Sequence, residues 1–174
     1  MTPPTLTTDR LVITPMTMEH WEAYAAAWAD PRMTEFIGGT PRTRTESWGK
    51  FLAASALWNY MGYGYWSFLD RETGGFVGNG GLSWFERGIA GLKGVPEAGW
   101  AFVPAAWGKG LATEALFAVL AWADAELSAP EIRCIIDEDN QASKRVAAKL
   151  GFHYVQTSDE AIGRITLYAR KRGG

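Results

Sequence analysis

The strongest constraint on the fold is a glycine-containing segment, residues 103–113 (VPAAWGKGLAT), between a predicted strand and a predicted helix. Pro104 cannot donate to a sheet ladder, so strand pairing must stop or open there. Gly108 and Gly110 allow a tight turn and the close approach of a ligand to the backbone. The first N–H groups of the next helix lack partners inside the helix and carry a partial positive charge. The segment therefore predicts a socket for phosphate or pyrophosphate.

An ordinary strand-to-helix turn is an alternative explanation, because a bare G-x-G is common in proteins. The segment is not a Walker loop, since Lys109 is followed by Gly110 rather than by Ser or Thr. Nor is it a dinucleotide fingerprint, because a meander of predicted strands precedes it in place of a βαβ unit. A nucleoside-triphosphate enzyme is thus disfavoured.

Composition limits the remaining function classes. The 174 residues suit one domain, 1–174, and 17 Lys and Arg against 19 Asp and Glu argue against nucleic acid as the main partner. The longest apolar run, residues 115–123, is about half of what spans a bilayer, so we expect no membrane partner. Cys134, His20 and His153 are too sparse for a metal site, and no metal is expected. With no signal pattern at the start, we expect a cytoplasmic protein.

Periodicity predicts the element order β-α-α-β-β-β-α-β-α-β-β, an α+β (mixed α/β) fold. Thr43-x-x-Glu46 is a capping box that begins the second helix. Residues 86–96 contain three glycines and are expected to form a mobile hairpin loop, while the basic tail, residues 170–172, is expected to be solvated. The predicted buried face is Trp21, Tyr24, Ala25 and Trp28 on the first helix, and Trp48, Phe51, Leu52 and Ser55 on the second.

A second informative segment runs from Asn140 to Phe152. Asn140 suits an N-cap and Gly151 a helix stop, so the segment predicts a capped helix. The strand before it alternates around Cys134, which is expected to be a buried core residue rather than a nucleophile. A capped helix by itself does not explain why this segment follows the glycine turn.

Several segments, taken together and in order, resemble the GNAT superfamily of acyl-CoA-dependent N-acetyltransferases, in particular its RimJ/RimL-like branch. The matching pieces extend through most of the chain. They are Thr8-Asp9-Arg10-Leu11, Val77-Gly78-Asn79-Gly80-Gly81-Leu82, Glu97-Ala98-Gly99-Trp100, the run from Pro104 to Ala115, Asn140-x-x-Ser143, and Lys149-Leu150-Gly151-Phe152.

The resemblance implies a mixed, mostly antiparallel sheet flanked by helices, in which the strand ending near Val103 splays from the strand holding Cys134. Acetyl-CoA, the implied cosubstrate, would lie in the opening. The backbone of Phe102 and Val103 would pair with its pantetheine arm, and Asn140 would bond to that arm. Its pyrophosphate would meet the backbone N–H groups of Gly108, Lys109, Gly110, Leu111, Ala112 and Thr113.

The sequence departs from the superfamily pattern at two positions. The usual Gln or Arg at the head of the turn is Trp107, which removes one cationic phosphate partner. Many relatives carry a tyrosine as general acid where this chain has Ala147. The resemblance therefore leaves the group that protonates the departing thiolate open.

Acetyl transfer needs a base for the amine, a donor for the oxyanion and a proton for the thiolate. Glu97 resembles the family's carboxylate for the first task, and the alternative is an exposed strand-edge glutamate. A backbone N–H near Val103, freed by Pro104, is the candidate oxyanion donor. Ser143 is placed to point at the sulfur, and the alternative is an N3 residue that helps to cap its helix.

The sequence thus predicts an acetyl-CoA-dependent N-acetyltransferase in which the amine attacks directly. The acceptor is a protein N-terminal α-amine, as the RimJ/RimL resemblance suggests, or a small-molecule amine. The alternative from another class is a non-catalytic sensor that binds acetyl-CoA or CoA. Trp28, Trp48 and Trp84 are candidate acceptor-pocket residues that would attract a cationic amine. The sequence leaves the oligomeric state open, a homodimer included.

Overall fold

The computed structural model describes residues 3–174. Eight strands form one sheet, and every neighbouring pair but one is antiparallel. The strands are β1 (Leu6–Thr7), β2 (Leu11–Pro15), β3 (Tyr65–Asp70), β4 (Phe76–Ser83), β5 (Glu97–Phe102), β6 (Glu131–Asp137), β7 (His153–Glu160) and β8 (Gly163–Lys171). Their order across the sheet is β1-β2-β3-β4-β5-β6-β8-β7, with β5 and β6 as the parallel pair.

The helices cover both faces of the sheet. They are α1 (Trp21–Ala29), α2 (Pro31–Thr34), α3 (Arg44–Met61), α4 (Leu111–Glu126) and α5 (Gln141–Lys149), with single 3₁₀ turns at Met18–His20, Ala90–Leu92 and Pro104–Ala106. The predicted order is confirmed, and the short β1 and α2 are added to it. The mostly antiparallel α+β sheet flanked by helices is likewise confirmed.

The larger core lies between the sheet and α4. Leu116, Val119 and Leu120 on α4 are fully buried at helical spacing. On β6, Ile132, Cys134 and Ile136 alternate inward, and the predicted burial of Cys134 is confirmed. A fully buried aliphatic side chain contributes roughly 1.5–3 kcal/mol relative to an exposed one, so this layer fixes how α4 lies on the strands.

The second core lies under α1 and α3 on the opposite face, and it is aromatic. The predicted stripe on α1 is confirmed, since Trp21, Tyr24, Ala25 and Trp28 are all buried. The rings of Tyr24 and Phe51 meet edge to face at 5.1 Å. These two helices cover the part of the sheet where β3, β4 and β5 run side by side.

The capping box of α3 is confirmed, and the predicted buried face is confirmed at Phe51 but wrong at Trp48 and Leu52. Thr43 Oγ1 accepts from the Glu46 N–H at 3.2 Å, and Glu46 Oε2 accepts from the Thr43 N–H at 2.8 Å. Trp48 and Leu52 remain 39% and 43% exposed. The side chains that α3 buries are Ser47, Phe51, Ala54 and Trp58. Packing against α1 and the sheet selects this face, which sequence periodicity alone did not separate from its neighbour.

Two segments expected to be loose are held in place. Within residues 86–96, Ile89 and Leu92 are buried against Leu167, so the predicted mobile loop is anchored by a small core of its own. Arg170 in the basic tail is 6% exposed rather than solvated, because its guanidinium forms a two-pronged ion pair with Asp124. Both predictions rested on composition, whereas tertiary contacts decided the outcome. In residues 3–174, no helix combines the length and apolar character needed to cross a membrane.

Candidate functional site

Strands β5 and β6 are neighbours that pair at one end only. Their single register pair joins Glu97 to Arg133, and the Arg133 N–H donates to the Pro96 carbonyl at 3.0 Å. Beyond that point no register pair joins them in the described chain. Parallel strands that separate in this way leave an opening at their carboxyl ends, where ligands of open sheets bind. We call the gap between residues 98–102 and 134–137 the wedge.

The predicted phosphate socket lies at the open end of the wedge. The 3₁₀ turn Pro104–Ala106 leads into Gly108 and Gly110, whose φ angles of 73° and 77° place both in the left-handed region that glycine adopts readily. The first bond of α4 runs from the Glu114 N–H to the Gly110 carbonyl at 3.1 Å. Within the described residues, the N–H groups from Gly108 to Thr113 have no hydrogen-bond partner. Consecutive free donors at a helix start suit an anion.

Arg10 lies beside this socket and contacts Glu114 and Lys109, a role that the sequence analysis did not predict. Its Nε and Nη2 lie 2.7 and 2.6 Å from Glu114 Oε2, and Thr8 Oγ1 donates to Glu114 Oε1 at 2.6 Å. Its Nη1 donates to the Lys109 carbonyl at 2.8 Å. A Cβ at Gly110 would stand 3.7 Å from Nη2. The half-exposed guanidinium therefore ties the turn, through the Lys109 carbonyl, to Glu114 in the first turn of α4.

The predicted role of the Val103 backbone is wrong, because its N–H and carbonyl groups are already hydrogen-bonded. The Val103 N–H donates to the Val77 carbonyl at 2.9 Å, and the Val103 carbonyl accepts from the Ala106 N–H at 2.9 Å. Pro104 ends the strand, but pairing with β4 continues up to the residue before it. Val103 therefore offers no free N–H for an arm in the wedge or for an oxyanion.

Trp100, rather than Val103, has backbone groups that face the wedge. Backbone groups alternate sides along a strand, and the Pro96 carbonyl faces β6, so the groups of Trp100 and Phe102 face the wedge. The Phe102 carbonyl accepts from the indole Nε1 of Trp107 at 2.5 Å. The Phe102 N–H and both backbone groups of Trp100 remain open to the wedge. The alternation of backbone groups that turns Phe102 toward the wedge also turns Trp100 toward it. The sequence could therefore have predicted both residues together.

The start of α5 lies at the same end, because α5 follows β6 directly. Asn140 Oδ1 accepts from the Ser143 N–H at 3.0 Å, so Asn140 caps the helix and keeps its Nδ2 as a donor. Within residues 3–174 the partly buried Ser143 hydroxyl makes no hydrogen bond. Ala147, one turn further on the same face, is fully buried. Ser143 is thus at N3, as the alternative held, but its hydroxyl does not help to cap the helix, because the Asn140 side chain does so.

Glu97 lies at the closed end of the wedge and is buried rather than an exposed strand-edge residue. It is 5% exposed, and its Oε2 accepts from Arg87 Nε at 2.9 Å. Burial raises the pKa of the Glu97 carboxyl, and the positive charge of Arg87 opposes that shift. At the usual strand rise, β5 puts about 17 Å between Glu97 and Phe102. The predicted base and the predicted phosphate socket therefore lie at opposite ends of one gap.

A cavity of roughly 300 Å³ opens beside Glu97. Tyr65 and Phe85 meet edge to face at 6.0 Å, and the Tyr65 hydroxyl lies over Gly99, on the same face as Glu97. Burial, and next the negative charge of Glu97, raise the pKa of Tyr65, so its hydroxyl stays protonated. Sequence reasoning missed Tyr65, which reads as an ordinary strand aromatic. The side chains that line the cavity beside Phe85 and Glu97 include Ser83, Trp84, Arg87, Ile89 and Leu92.

Two other residues named in the sequence analysis, Trp28 and Cys134, are buried in structural contacts. Trp28 is buried, and the guanidinium of Arg42 stacks on its ring at 3.6 Å, so that face is already covered by a cation. Cys134 is buried against the core, and burial raises the pKa of its thiol, which removes it as a nucleophile. Within residues 3–174 no three or more His, Cys, Asp or Glu side chains group into a site for a metal ion.

Comparisons with known proteins agree with this geometry. The family model described as an acetyltransferase (GNAT) domain matches residues 10–153. The protein YkkB of Bacillus subtilis (strain 168) is 33% identical over 141 residues, which cover 80% of this chain and 78% of YkkB. A GNAT-family acetyltransferase structure from Bordetella pertussis is similar with a TM-score of 0.85 at 30% identity, covering 97% of this chain and 99% of that one. An acetyltransferase structure from Agrobacterium tumefaciens str. C58 gives 0.85 at 28% identity, covering 97% and 95%.

Proposed function

Since this chain belongs to the GNAT acetyltransferase family and is an acetyl-CoA-dependent N-acetyltransferase, we propose that it passes the acetyl group directly to a primary amine. Acetyl-CoA supplies an activated thioester when bound. A bond from the amine nitrogen to the acetyl carbon forms, and the carbon–sulfur bond breaks. The amine loses a proton and the thiolate leaves. No acetyl-enzyme is formed, in keeping with the burial of Cys134.

One observation carries this proposal: β5 and β6 pair only at Glu97 and Arg133, while free N–H groups collect at their other end. The donors from Gly108 to Thr113 are suited to a pyrophosphate. Trp100 and Phe102 offer backbone groups to the arm between the two ends. Residues that we propose to bind the cosubstrate are Trp100, Phe102, Gly108, Lys109, Gly110, Leu111, Ala112, Thr113 and Asn140.

We assign Glu97 as the base that takes the amine proton. An α-amine has a pKa of about 8 and a lysine amine about 10.4, so a neutral α-amine needs little help at pH 7. Burial raises the pKa of Glu97 and brings it closer to that of the amine, which favours proton transfer. Its carboxylate Oε2 is held by Arg87, and this fixes the orientation of the group.

Ser143 is the proposed donor toward the departing sulfur. It stands on the inner face of α5, one turn before the buried Ala147 that replaces the usual tyrosine. A thiol has a pKa of about 8.5, so thiolate is a good leaving group and a hydroxyl donor suffices. We expect Ser143→Ala to lower kcat by less than Glu97→Gln does.

The acceptor is proposed as a primary amine, either a protein N-terminal α-amine or a small molecule. The whole chain, 1–174, is proposed to form one N-acetyltransferase domain. A non-catalytic sensor would share the socket and yet acetylate no amine. Initial rates at varied concentrations of both substrates separate the mechanisms, because direct attack gives intersecting lines and an acetyl-enzyme gives parallel ones.

Thermal unfolding with and without acetyl-CoA, with ATP as the control, tests cosubstrate binding. A ligand at 100 times its Kd adds about 2.7 kcal/mol of stability. For a chain of this size that raises Tm by roughly 5–11 °C. A shift with acetyl-CoA and none with ATP is expected. No shift at millimolar acetyl-CoA would contradict the proposed site.

A further inference from the structure

Arg42 is a half-buried arginine whose guanidinium is fixed in place on the side of the sheet covered by α1 and α3. It lies between α2 and α3, and its backbone N–H donates to the Trp28 carbonyl at 2.9 Å. Its guanidinium carbon stands 3.6 Å from the centre of the Trp28 ring, and Trp28 Nε1 donates to Asn79 Oδ1 at 3.2 Å. The side chain is thus held by stacking on a ring that is itself anchored to β4. Burial lowers the pKa of Arg42, which marks a costly site for a positive charge.

The protein balances the charge of Arg42 only in part. Within the described residues no carboxylate lies in ion-pair range of Arg42, and the hydroxyls of Tyr24 and Tyr65 are polar groups that act on it. Glu46, whose negative charge acts on Arg42, is engaged in the capping box with Thr43.

Two further cations lie nearby. The pKa of Lys50 is lowered by burial and by the positive charges of Arg42 and Arg87. Arg87 is matched by Glu97, but Lys50 has no ion-pair partner in residues 3–174. The cluster of Arg42, Lys50 and Arg87 therefore carries excess positive charge on the face of the sheet that holds Glu97.

Tyr65 connects this cluster to the proposed base. Its hydroxyl lies over Gly99, two residues after Glu97 on the same face of β5. Tyr65 acts on Arg42, and the negative charge of Glu97 acts on Tyr65. One tyrosine side chain thus connects a cation without an ion-pair partner to the group that is proposed to receive the amine proton.

We propose that the natural acceptor is a primary amine that carries an anionic group, a carboxylate or phosphate, on the same molecule. This inference rests on the proposed function. The amine lies at Glu97, and the anionic group binds Arg42 with support from Lys50. Guanidinium and carboxylate form paired, charge-assisted hydrogen bonds, and such bonds are stronger where water is excluded. The site would select against neutral and purely cationic amines.

The test compares matched amines that differ only in the anion. With acetyl-CoA fixed, acetylation is measured for γ-aminobutyrate against its amide, and for O-phosphoethanolamine against ethanolamine. We expect kcat/KM to be about 10–100-fold higher for each anionic member, the range that hydrogen bonds to charged groups commonly supply. The dipeptide amides Ala-Asp-NH₂ and Ala-Asn-NH₂ form a third pair and tell an acidic peptide N-terminus from a small acidic amine.

Variants separate a binding role of Arg42 from a structural one. Arg42→Gln should bring the anionic-to-neutral ratio of kcat/KM close to one, and Arg42→Lys should keep part of it. Arg44→Gln is the control, because Arg44 lies two residues away, is exposed and pairs with Glu22. A fold defect would lower both rates and leave their ratio unchanged. An equal rate for both members in the wild type, or an unchanged ratio in Arg42→Gln, overturns the inference.

A chain that acetylates none of these amines would contradict the proposed function instead. The inference is then decided by calorimetric binding of γ-aminobutyrate and its amide to the chain loaded with CoA. Tighter binding of the acid, lost in Arg42→Gln, supports the anion site. Equal binding of the two compounds overturns it.

Discussion

The side chain of Tyr65 lies across Gly81 and ends over Gly99. Register places these three residues in one row, since Tyr65 pairs with Gly81 on β4 and Gly81 pairs with Gly99 on β5. A Cβ at residue 99 would overlap the Tyr65 hydroxyl and stand 3.2 Å from its Cζ. The glycine at residue 99 thus lets the Tyr65 side chain reach from β3 to the neighbourhood of Glu97.

Gly99→Ala should therefore destabilise the chain, and Tyr65→Phe should rescue part of the loss. Overpacking of this kind costs roughly 1–3 kcal/mol. Removing the phenol oxygen relieves the closest contact, so we expect a coupling of about 0.5–3 kcal/mol between the two positions. Urea unfolding of the wild type, both single variants and the double variant measures it.

Gly49→Ala is the matched control for this cycle. A Cβ at Gly49 meets nothing within 4 Å, and the residue lies in the exposed interior of α3. Alanine there should stabilise the chain by about 0.5–1 kcal/mol. Strictly additive effects of Gly99→Ala and Tyr65→Phe would contradict the contact.

Glu97→Gln should lower kcat/KM by about 10²–10⁴-fold at pH 7, the usual contribution of a general base. The deficit should shrink as pH rises through the amine pKa of about 8 for an α-amine, because the free base then forms unaided. A pH–rate profile of both proteins measures this. Glu131→Gln, which also loses a pairing with an arginine, should leave the profile unchanged. A deficit that stays constant with pH would remove Glu97 as the base.

Glu97→Gln should have the same thermal stability as the wild type at neutral pH. Because burial raises the pKa of Glu97 above its ordinary 4.5, its contribution is fully present below pH 4.5 and is lost as pH rises through the folded-state pKa. Once the group is ionised it gives no net stabilisation, and glutamine should match it. A Tm well below that of the wild type would instead assign Glu97 a structural role.

Gly110→Ala should weaken acetyl-CoA binding by about tenfold. A left-handed φ costs alanine roughly 1–2 kcal/mol, and relaxing it would turn the free N–H groups away from the socket. Gly62→Ala is the control, because Gly62 has a φ of 73° with open space at the end of α3. Calorimetry should find both variants less stable and only Gly110→Ala weaker in binding. Equal affinities would contradict the socket.

Asp124→Asn should destabilise the chain at neutral pH by approximately 2–4 kcal/mol, somewhat below the cost of breaking a fully buried pair. It leaves the buried guanidinium of Arg170 without its anion. Hydrogen bonds from Arg170 are the main cause of the lowered pKa of Asp124, so its stabilisation is present above its ordinary 3.8 and is lost as pH falls through the folded-state pKa. Urea unfolding should show the two proteins converging in acid. A gap that does not depend on pH would contradict this account.

The sequence was informative where a signal is local. The capping box at Thr43, the stripe on α1 and the stop at Gly151 are set by neighbouring residues, and each forms as predicted. The glycine turn is also local, since left-handed glycines at 108 and 110 free the next N–H groups whatever the rest of the chain does.

Other features depend on contacts between distant segments. The Val103 N–H, predicted to be free, donates to the carbonyl of Val77, which is 26 positions earlier in the chain. Glu97 became a buried, paired carboxylate through Arg87 on a loop expected to be mobile. The positions of Arg42 on Trp28 and of Tyr65 over Gly99 follow from how α1, α3 and three strands pack, and no sequence spacing encodes that arrangement.

The wedge gives this sheet two internal edges in addition to its outer ones. Ile135 and Asp137 on β6 present unpaired N–H groups toward β5, while Trp100 and Phe102 do the same from the other side. Free strand edges are templates for pairing with other chains, and most proteins shield them. Here a cosubstrate molecule would be the shield. Catalysis and resistance to aggregation would then both depend on the supply of acetyl-CoA. A chain without acetyl-CoA would lose the shield of its strand edges as well as its activity.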